Sequence, residues 1–365
     1  MSGSRRAHRA AAVPAECPTA PAVSAAPAAP AVSAAPAVAR DGMRERRCSV
    51  ARTLTILSDS WAFLVLRESY FGATRFQEFR AALGLPRQTL TERLRMLTQQ
   101  GLLRRTAGAA HPKRFEYRLT ERGIDLYPVM LALLAFGDRW LSDQERPPIY
   151  LVHNLCRCAC RPSVACSHCL AEVNVRTVCY RDGPGAGVSR AAKARCRRRS
   201  ADPRVLERGR PSSVARALKI IGDRWSFMVI RECFFGVRRF DALKGTLGIA
   251  PNILTDRLNR LVAENILARV KYQDLPRRFE YRLTEKGKDL YGPLIAMLGW
   301  GDRWLANGKP PLVLTHIACG RDFDPVVLCD QCRRPLVARD MSYKLNYPQE
   351  GGLDRPAKPG RPILT

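Results

Sequence analysis

Two groups of histidine and cysteine residues have the spacing of metal ligands. They read His153-x2-Cys156-x9-Cys166-x2-Cys169 and, 163 positions later, His316-x2-Cys319-x9-Cys329-x2-Cys332. Ligand pairs with two-residue spacers suit tetrahedral Zn²⁺, and a full set of four leaves no open position, as in structural sites. We therefore expect one structural zinc ion in each group. The alternative is that a repeat kept these residues without any metal, since further thiols stand nearby at Cys158 and Cys160.

A single thiol, Cys48, has a different chemical setting. It stands just before the first predicted helix and directly after Arg46 and Arg47. A helix N-terminus and neighbouring guanidinium groups favour the thiolate, which is the reactive form of cysteine. The equivalent position of the second copy described below is Ser212. Cys48 is therefore a candidate redox-sensing residue, and the alternative is an inert, half-buried thiol.

The charge of the chain indicates a polyanionic partner. Its 61 Lys and Arg residues against 33 Asp and Glu give a formal net charge of +28, which attracts nucleic acid above all. A GC-rich genome, which raises the arginine content everywhere, is the alternative cause.

The sequence shows no signal for a membrane or for export. No run approaches the roughly 18–20 apolar residues of a membrane helix. The N-terminus lacks a strongly apolar signal core, although its Arg-rich start could imitate a transit peptide. The 13 cysteines are therefore expected to be thiols or metal ligands.

The chain contains an internal duplication. The string KRFEYRLTERG at 113–123 returns as RRFEYRLTEKG at 277–287, and a shift of 164 aligns 49–141 with 213–305 without a gap. Each copy is large enough to hold its own core. The expected organisation is an Ala/Pro-rich disordered tail (1–42), a first domain (48–145) with a Cys/His-rich extension (146–180), a basic flexible linker (181–211), a second domain (212–308) with its extension (309–345), and a loose C-terminal tail (346–365).

One copy follows an order of elements in which helices precede a hairpin. Apolar residues at helical spacing predict helices over 50–57, 62–70, 75–83 and 87–99, with Gly84 ending the third. The spacing then becomes that of two strands, over 102–105 and 115–119, and Thr120 caps a closing helix that runs to Trp140. The order predicts a mainly α fold with small β-hairpin wings, in which two tandem winged helix-turn-helix domains are each followed by a small Cys/His-rich extension.

The fourth helix of each copy has a polar face opposite its leucines. An α-helix fits the DNA major groove, where Arg pairs with guanine and Gln or Asn with adenine, while basic residues of a wing contact phosphates. Glu92 and Asp256 also point outward, and they would either orient a neighbouring arginine or accept from cytosine. The candidate DNA-contacting residues are Arg87, Gln88, Thr91, Arg95, Lys113 and Arg114 in the first copy and Asn252, Thr255, Asn259, Arg277 and Arg278 in the second.

Taken together, the repeated motifs resemble those of a known family. They are C-S-V-A (S-S-V-A in the second copy), D-x-W, R-E-x-x-F-G-x-x-R-F, L-G, L-T-x-R-L and E-Y-x-L-T-E-x-G. The pattern, over 48–141 and 212–305, resembles the HxlR-type transcriptional regulators, which are relatives of the MarR group. The resemblance implies a winged helix-turn-helix that binds operator DNA, usually as a homodimer joined through terminal helices. Some members carry a sensing cysteine at the position of Cys48.

The function expected from these features is sequence-specific transcriptional regulation. The partner is double-stranded DNA, with no membrane, and the protein is expected to be cytoplasmic and nucleoid-associated. Because two copies stand in tandem, the active unit is either a homodimer or an intramolecular pseudo-dimer that reads two unlike half-sites. We find no phosphate-cradling Gly-rich loop, nucleophile elbow or metal-hydrolase helix, so no enzyme is expected. The alternative is a zinc-containing adaptor that binds protein or RNA without operator specificity.

Overall fold

The computed structural model describes residues 44–57, 59–108, 111–142, 147–190 and 211–346. The first half contains β1 (Arg44–Arg46), α1 (Ser49–Leu57), α2 (Ser60–Tyr70), α3 (Phe76–Leu83), α4 (Arg87–Gln99), β2 (Leu103–Gly108), β3 (His111–Leu119), α5 (Glu121–Ile124), α6 (Tyr127–Trp140), β4 (Ile149–His153), β5 (Cys158–Cys160), β6 (Pro162–Cys166), β7 (Val178–Asp182) and β8 (Val188–Arg190). The predicted tail at 1–42, the C-terminal tail beyond residue 346 and residues 191–210 of the predicted linker lie outside the described residues.

The second half repeats this order. It contains α7 (Ser213–Ile221), α8 (Arg224–Phe234), α9 (Phe240–Leu247), α10 (Pro251–Ala263), β9 (Leu267–Gln273), β10 (Arg278–Leu283), α11 (Glu285–Asp289), α12 (Tyr291–Leu305), β11 (Leu312–His316), β12 (Arg321–Asp322), β13 (Pro325–Cys329), a 3₁₀ turn (Ala338–Asp340) and β14 (Met341–Leu345). Two tandem winged helix-turn-helix domains with small antiparallel hairpins are therefore confirmed.

Each helix-turn-helix ends and restarts where the sequence places a breaker. Gly84 and Gly248 adopt left-handed backbone conformations, with φ of 61° and 59°, and so end α3 and α9. In the first copy Pro86 caps α4, and in the second Pro251 opens α10, where a missing N–H does no harm. The observed bounds of α4 are those predicted from its leucine spacing.

The closing helix differs from the prediction in both copies. One continuous helix was expected from Thr120 to Trp140, but the structure has two, α5 and α6, and likewise α11 and α12 in the second copy. Pro128 and Pro293 lie in the first turns of α6 and α12. A proline lacks the N–H that would continue the preceding helix, and its ring clashes with the carbonyl four residues earlier. The chain therefore breaks and begins a second helix.

The two copies pack against each other through their terminal helices. Helix α1 of the first copy lies along α12 of the second, α6 lies along α7, and α6 and α12 also touch. The helices approach so closely that a Cβ added at Gly137 would stand 2.2 Å from the carbonyl oxygen of Ser213, and one at Gly301 would stand 2.6 Å from that of Ser49. Glycine is required at both points because the backbone of the partner helix occupies the space.

Polar contacts across this interface occur in pairs related by 164 positions. Ser49 donates a hydrogen bond to Asp302, and Ser213 donates one to Asp138. The other pairs are Arg52 with the Leu305 carbonyl (3.1 Å) and Arg216 with the Leu141 carbonyl (3.0 Å), and the indoles of Trp140 and Trp304 with Asp289 (2.6 Å) and Asp125 (2.7 Å). The repeated strings SVAR and GDRWL are thus the contact between the copies, arranged about a pseudo-two-fold axis.

The Cys/His-rich extensions of the two copies form β-sheets with each other. Strands β6 and β13, one from each half, pair antiparallel with Val164 opposite Val327. Strand β4 pairs with β5 of its own half and with β14 of the other, and β11 correspondingly pairs with β12 and β7. The β6–β13 ribbon packs on the closing helices α6 and α12. A Cβ added at Gly299 of α12 would stand 2.7 Å from Cγ of Pro325 in β13.

The first part of the predicted flexible linker is ordered structure. Strand β7 ends at Asp182, and β8 pairs antiparallel with β1, while the Gly183 and Gly185 amides donate to the carbonyls of Pro311 and Pro310 at 3.0 Å each. The prediction was wrong for 181–190 because the composition does not reveal that these backbone groups find partners in distant segments.

Within the described residues, no single helix is long and apolar enough to cross a membrane. One bent pair of helices, Ser49–Leu57 with Trp61–Tyr70, has the combined length and apolar composition of a membrane span, which is weak evidence for one.

Candidate nucleic-acid interface and metal centres

The predicted reading residues of α4 all lie on its exposed face. Arg87, Gln88, Thr91 and Arg95 are solvent-exposed, while Leu90, Leu94 and Leu97 are buried beneath them. The Gln88 amide donates to the carboxylate of Glu92 at 3.3 Å, and the Thr91 hydroxyl donates to the Arg87 carbonyl at 2.8 Å. The Gln88 side chain of this face is therefore held by a carboxylate one helical turn away.

Helix α10 presents the equivalent face with different chemistry. Asn252, Thr255 and Asn259 are exposed, and Leu254, Leu258 and Leu261 are buried. Asp256 forms an ion pair with Arg257, which agrees with the interpretation that this outward acid orients a neighbouring arginine. Acceptance from cytosine stays a prediction. At the shift of 164, Asn259 stands where α4 has Arg95, Asn252 where it has Gln88, and Pro251 where it has Arg87.

In each copy, an ion pair anchors the fourth helix, α4 or α10, which is called the reading helix below. The sequence analysis did not identify this pair. Asp59 caps α2 by accepting from the amides of Trp61 and Ala62, and its other oxygen lies 2.7 Å from Nε of Arg93 on α4. In the second copy Nε of Arg257 lies 2.6 Å from Asp223, the cap of α8. The aspartate of the D-x-W motif therefore contacts the arginine of the L-T-x-R-L motif in both copies. The equal spacing of the two motifs in the two copies is the sequence signal that could have indicated this contact.

The environment of the second cap favours its charged form. Burial disfavours the carboxylate of Asp223, but hydrogen bonds from Ser226 and Arg257 outweigh it and hold the pKa of Asp223 below its usual value. The same carboxylate raises the pKa of Arg257 against the opposing effect of burial. Both partners remain ionised at pH 7, so the ion pair links α10 to the N-terminus of α8.

The wings present basic residues, some of which the sequence analysis missed. Arg277 and Arg278 are exposed at the tip of the second wing, beside Leu275, which is 89% exposed. Arg105 of β2 stacks 3.5 Å above the ring of Phe115, and the equivalent Arg269 of β9 stacks 3.7 Å above Phe279. These two exposed arginines follow strand alternation, a signal that could have found them. Lys113 and Arg114 lie in β3 and stay a prediction as DNA contacts.

All eight predicted metal ligands are brought together, in two clusters. Each cluster contains one imidazole and three thiols, and its ligand atoms lie within 4.8 Å of one another. In cluster A the Cys156 and Cys329 sulfurs are 3.9 Å apart, and Nδ1 of His153 is 3.5 Å from Cys156 and 3.2 Å from Cys332. Cluster A is His153, Cys156, Cys329 and Cys332, and cluster B is Cys166, Cys169, His316 and Cys319.

Cluster B repeats this geometry. The Cys166 and Cys319 sulfurs are 3.9 Å apart, and Nδ1 of His316 is 3.1 Å from Cys169 and 3.4 Å from Cys319. In both clusters the imidazole is almost fully buried, with His153 0% and His316 1% exposed. Burial lowers the pKa of both histidines, so they are neutral at pH 7, which is the form that binds a metal.

The grouping corrects the sequence analysis, which placed each set of four within one half of the chain. Strand β6 places Cys166 four residues, about 13 Å, from Pro162, which lies two residues after the β4–β5 hairpin that holds His153 and Cys156. Antiparallel pairing then sets Cys329 opposite Pro162 and Cys166 opposite Pro325. Each His-x2-Cys pair therefore meets the Cys-x2-Cys pair of the other half.

The candidate sensor Cys48 is 5% exposed, directly before α1. Arg46 lies with its guanidinium carbon 5.0 Å from the ring centre of Phe235, and the Arg47 amide donates to the Gly187 carbonyl at 2.8 Å. Redox sensing by Cys48 stays a prediction, and its burial means that an oxidant must first gain access.

Comparison with known proteins identifies the two copies. Residues 56–145 and 220–309 match the sequence profile of the HxlR-like helix-turn-helix family. An uncharacterized HTH-type transcriptional regulator of Mycobacterium tuberculosis is 43% identical over 131 residues, which cover 36% of this chain and 83% of that protein. The chain belongs to the HxlR-like helix-turn-helix family.

A second relative matches over about the length of one HxlR-like copy. The HTH-type transcriptional regulator YtcD of Bacillus subtilis is 32% identical over 90 residues, covering 24% of this chain and 71% of that protein. Among solved structures, the reduced form of the transcriptional regulator YodB from B. subtilis is 29% identical and covers 26% of this chain and 94% of that chain, with a TM-score of 0.24. The HxlR-like matches end at residues 145 and 309, so both Cys/His clusters lie beyond them.

The two HxlR-like copies meet around a pair of partly buried carboxyls. Burial raises the pKa of Asp138 to about 6, against the hydrogen bond from Ser213 and the charges of Arg161 and Arg216. Burial likewise raises the pKa of Asp302 to about 6, with Ser49 and Arg52 opposing and Asp324 adding to the rise. The contact between the HxlR-like copies therefore contains two groups that change charge in mildly acidic solution.

Proposed function

We propose that this protein is a DNA-binding transcriptional regulator that acts as an intramolecular pseudo-dimer. The observation that carries the proposal is the pair of exposed polar helix faces, on α4 and α10, held by one interface whose contacts repeat at 164 positions. Family members of the HTH type are named transcriptional regulators, in agreement with this role. A homodimer of single-copy chains would offer two identical faces, whereas this chain offers two unlike ones.

In this proposal each reading helix enters a major groove and each wing lies against the backbone. On α4, Arg87 and Arg95 suit guanine, which accepts at O6 and N7, and Gln88 suits adenine. On α10, Asn252 and Asn259 suit adenine and add no positive charge. Arg277 and Arg278 of the second wing contribute affinity through phosphates and little sequence information. The operator is therefore expected to have one guanine-containing half-site and one adenine-rich half-site.

The test is binding of the purified chain to the intergenic DNA upstream of its own gene. Salt titration against random duplex should give a log–log slope of about −5 or steeper, since each released phosphate counterion adds about 0.9. A specific regulator should prefer one site by roughly a thousand-fold, and footprinting should show two protected half-sites. One chain per operator would support the pseudo-dimer, and two chains per operator would reject it.

Steep salt dependence without any site preference would contradict the regulator and leave a basic, non-specific binder. Absence of DNA binding at moderate salt would instead favour the adaptor that binds protein or RNA. A matched control is Arg176→Ala with Arg339→Ala, which removes two exposed guanidinium groups from the extensions. Operator affinity should change little in this control, because only the total charge of the chain has been altered.

A further inference from the structure

We propose that clusters A and B are two structural Zn²⁺ sites, each of which ties the extension of one copy to the extension of the other. The sites lie beyond the HxlR-like matches and do not depend on DNA contact. The metal is one that prefers four ligands in tetrahedral array, from imidazole and thiolate groups. Zn²⁺ is the common divalent ion with that preference.

The distances within each cluster fit a single tetrahedral ion. With Zn–S of about 2.3 Å and Zn–N of about 2.0–2.1 Å, a tetrahedron places two sulfurs about 3.8 Å apart and a nitrogen about 3.6 Å from a sulfur. The sulfur pairs Cys156–Cys329 and Cys166–Cys319 are both 3.9 Å apart. These separations exceed a disulfide bond of about 2.05 Å and match two thiolates on one ion. The four nitrogen–sulfur distances, between 3.1 Å and 3.5 Å, are slightly shorter than the ideal value.

The backbone around each ligand pair has the same shape four times. The first ligand of every pair accepts, through its carbonyl, a hydrogen bond from the residue four positions later, and that residue has positive φ. These residues are Arg157 (58°), Leu170 (59°), Gly320 (66°) and Arg333 (59°), with bonds of 2.7, 3.0, 2.8 and 2.9 Å to His153, Cys166, His316 and Cys329. Non-glycine residues rarely adopt this conformation unless the surroundings impose it. Four equal turns therefore present four ligand pairs in the same way.

The ligand sets are closed and balanced in charge. Three thiolates with one neutral imidazole give a Zn²⁺ site a net charge of about −1, and arginines stand close to the ligands in sequence, at positions 157, 321, 333 and 334. Because four protein ligands fill the tetrahedron, no position remains for water or a substrate. The sites therefore stabilise structure and do not catalyse.

Metal binding across the halves would have a consequence for the whole molecule. Ribbon β6–β13 carries one ligand of each cluster at its two ends and rests on helices α6 and α12. The same two helices form the contact between the winged domains. Each ion thus closes a chain loop of more than 150 residues, from Cys156 to Cys329 and from Cys166 to Cys319. Closing so long a loop restricts the unfolded state strongly.

The first experiment counts metal in the full chain purified under reducing conditions without chelator. Elemental analysis should give two zinc ions per chain, and replacement by Co²⁺ should give the visible absorption of tetrahedral cobalt bound to thiolates. Cys179→Ser removes an exposed thiol outside both clusters and should keep both ions. Fewer than two ions per wild-type chain, or a Co²⁺ spectrum without thiolate character, would overturn the proposal.

A pair of double variants then tests the crosswise grouping. Cys156→Ser with Cys332→Ser removes two ligands from cluster A and none from cluster B, so one ion should resist a competing chelator. Cys156→Ser with Cys169→Ser removes one ligand from each cluster, so no ion should resist it. Ligand sets confined to one half of the chain would give the reverse result for the two variants, and that result would refute the crosswise arrangement.

A folding control keeps the comparison interpretable. Far-ultraviolet circular dichroism should show the same helix content in both double variants, because the winged domains keep their own cores. If either variant unfolds, stepwise chelation of the wild-type chain replaces it. Two ions must then leave with a lowered thermal midpoint, and an unchanged midpoint after complete metal removal would reject a structural role.

Discussion

The proposed DNA-reading helices of the two copies, α4 and α10, differ far more than the frame that holds them. The frame is the set of contacts behind these helices and between the two copies. Helix α4 exposes Arg87 and Arg95, where α10 has Pro251 and Asn259. The frame contacts, by contrast, recur at 164 positions, from the Asp–Arg pair behind each reading helix to the serine–aspartate contacts between copies. A duplicated regulator can therefore change what each half reads while the geometry that spaces the two halves stays fixed.

The asymmetry of the reading faces predicts an unequal division of binding energy. Guanidinium groups both read guanine and neutralise phosphate, whereas carboxamides supply discrimination with little electrostatic affinity. The first copy should thus supply most of the salt-dependent affinity. The second copy should contribute mainly to discrimination between base sequences.

The largest expected effect is removal of the two arginines of α4. Arg87→Ala with Arg95→Ala should lower operator affinity about a hundred-fold or more, because a good bidentate arginine contact contributes about 1–3 kcal/mol. The salt slope should flatten by about 0.9 for each arginine that also neutralises a phosphate. Fluorescence anisotropy at several salt concentrations measures both quantities.

The matched variant in the other copy is Asn252→Ala with Asn259→Ala. It should relax sequence preference in one half-site and leave the salt slope unchanged, because no charge is lost. Equal affinity losses and equal slope changes for the two double variants would show that the copies contribute alike. That outcome would contradict the expected difference between α4 and α10.

The second prediction concerns the frame, which should respond equally in both copies. Gly137→Ala and Gly301→Ala each force a methyl group against a backbone carbonyl of the other copy, at 2.2 Å and 2.6 Å. Overpacking of this kind lowers the free energy of unfolding by about 1–3 kcal/mol, which urea denaturation measures. Gly245→Ala in α9 meets nothing within 4 Å and should stabilise the helix slightly. A neutral result at Gly137 or Gly301 would contradict the close helix contact.

The third prediction uses the two partly buried carboxyls of the same frame. The folded pKa of Asp138 and Asp302 is about 6, above the ordinary value of 3.8, so the folded state binds more protons than the unfolded state between these pH values. The free energy of unfolding should consequently fall as pH rises from about 4 to about 6, by about 1–2 kcal/mol per carboxyl. Asp138→Asn with Asp302→Asn removes this loss and keeps an acceptor for each serine.

The measurement is the difference in unfolding free energy between variant and wild type at pH 5 and at pH 7.5. The variant should gain relative to wild type at the higher pH, and comparing differences cancels the pH dependence of any bound metal. Asp241→Asn, which removes an exposed carboxyl from α9, is the matched control substitution. A constant difference between variant and wild type would mean that Asp138 and Asp302 do not titrate in this range.

Much of the fold could be predicted from local sequence, and much of the assembly could not. The bounds of α4 and the stop at Gly84 followed from leucine spacing and one glycine, because both depend on neighbours along the chain. The break after α5 was missed since a proline in a first turn reads equally as the start of a helix or as an interruption of one. Apolar periodicity could not decide between them.

The candidate metal ligands illustrate the same limit. Their identities followed from spacing, but their grouping depends on the antiparallel pairing of β6 with β13, two strands from different halves. A duplicated sequence carries identical local signals for pairing within a half and between halves. Only the packed structure distinguishes them, and the same holds for SVAR and GDRWL, whose partners lie in the opposite copy.

The smallest predicted effect would make the two reading faces more alike. Asn259→Arg places on α10 the residue that α4 has at Arg95, at an exposed position of the same helical register. Affinity for an operator with guanine introduced in the second half-site should rise roughly ten-fold, about 1.4 kcal/mol, and the salt slope should steepen by about 0.9 if the new group also meets a phosphate. The reciprocal change, Arg95→Asn, should weaken the first half-site without improving the second. If Asn259→Arg raised affinity equally for every DNA sequence, α10 would be contacting the backbone and not the base edges, and the two helices would differ in docking as well as in composition.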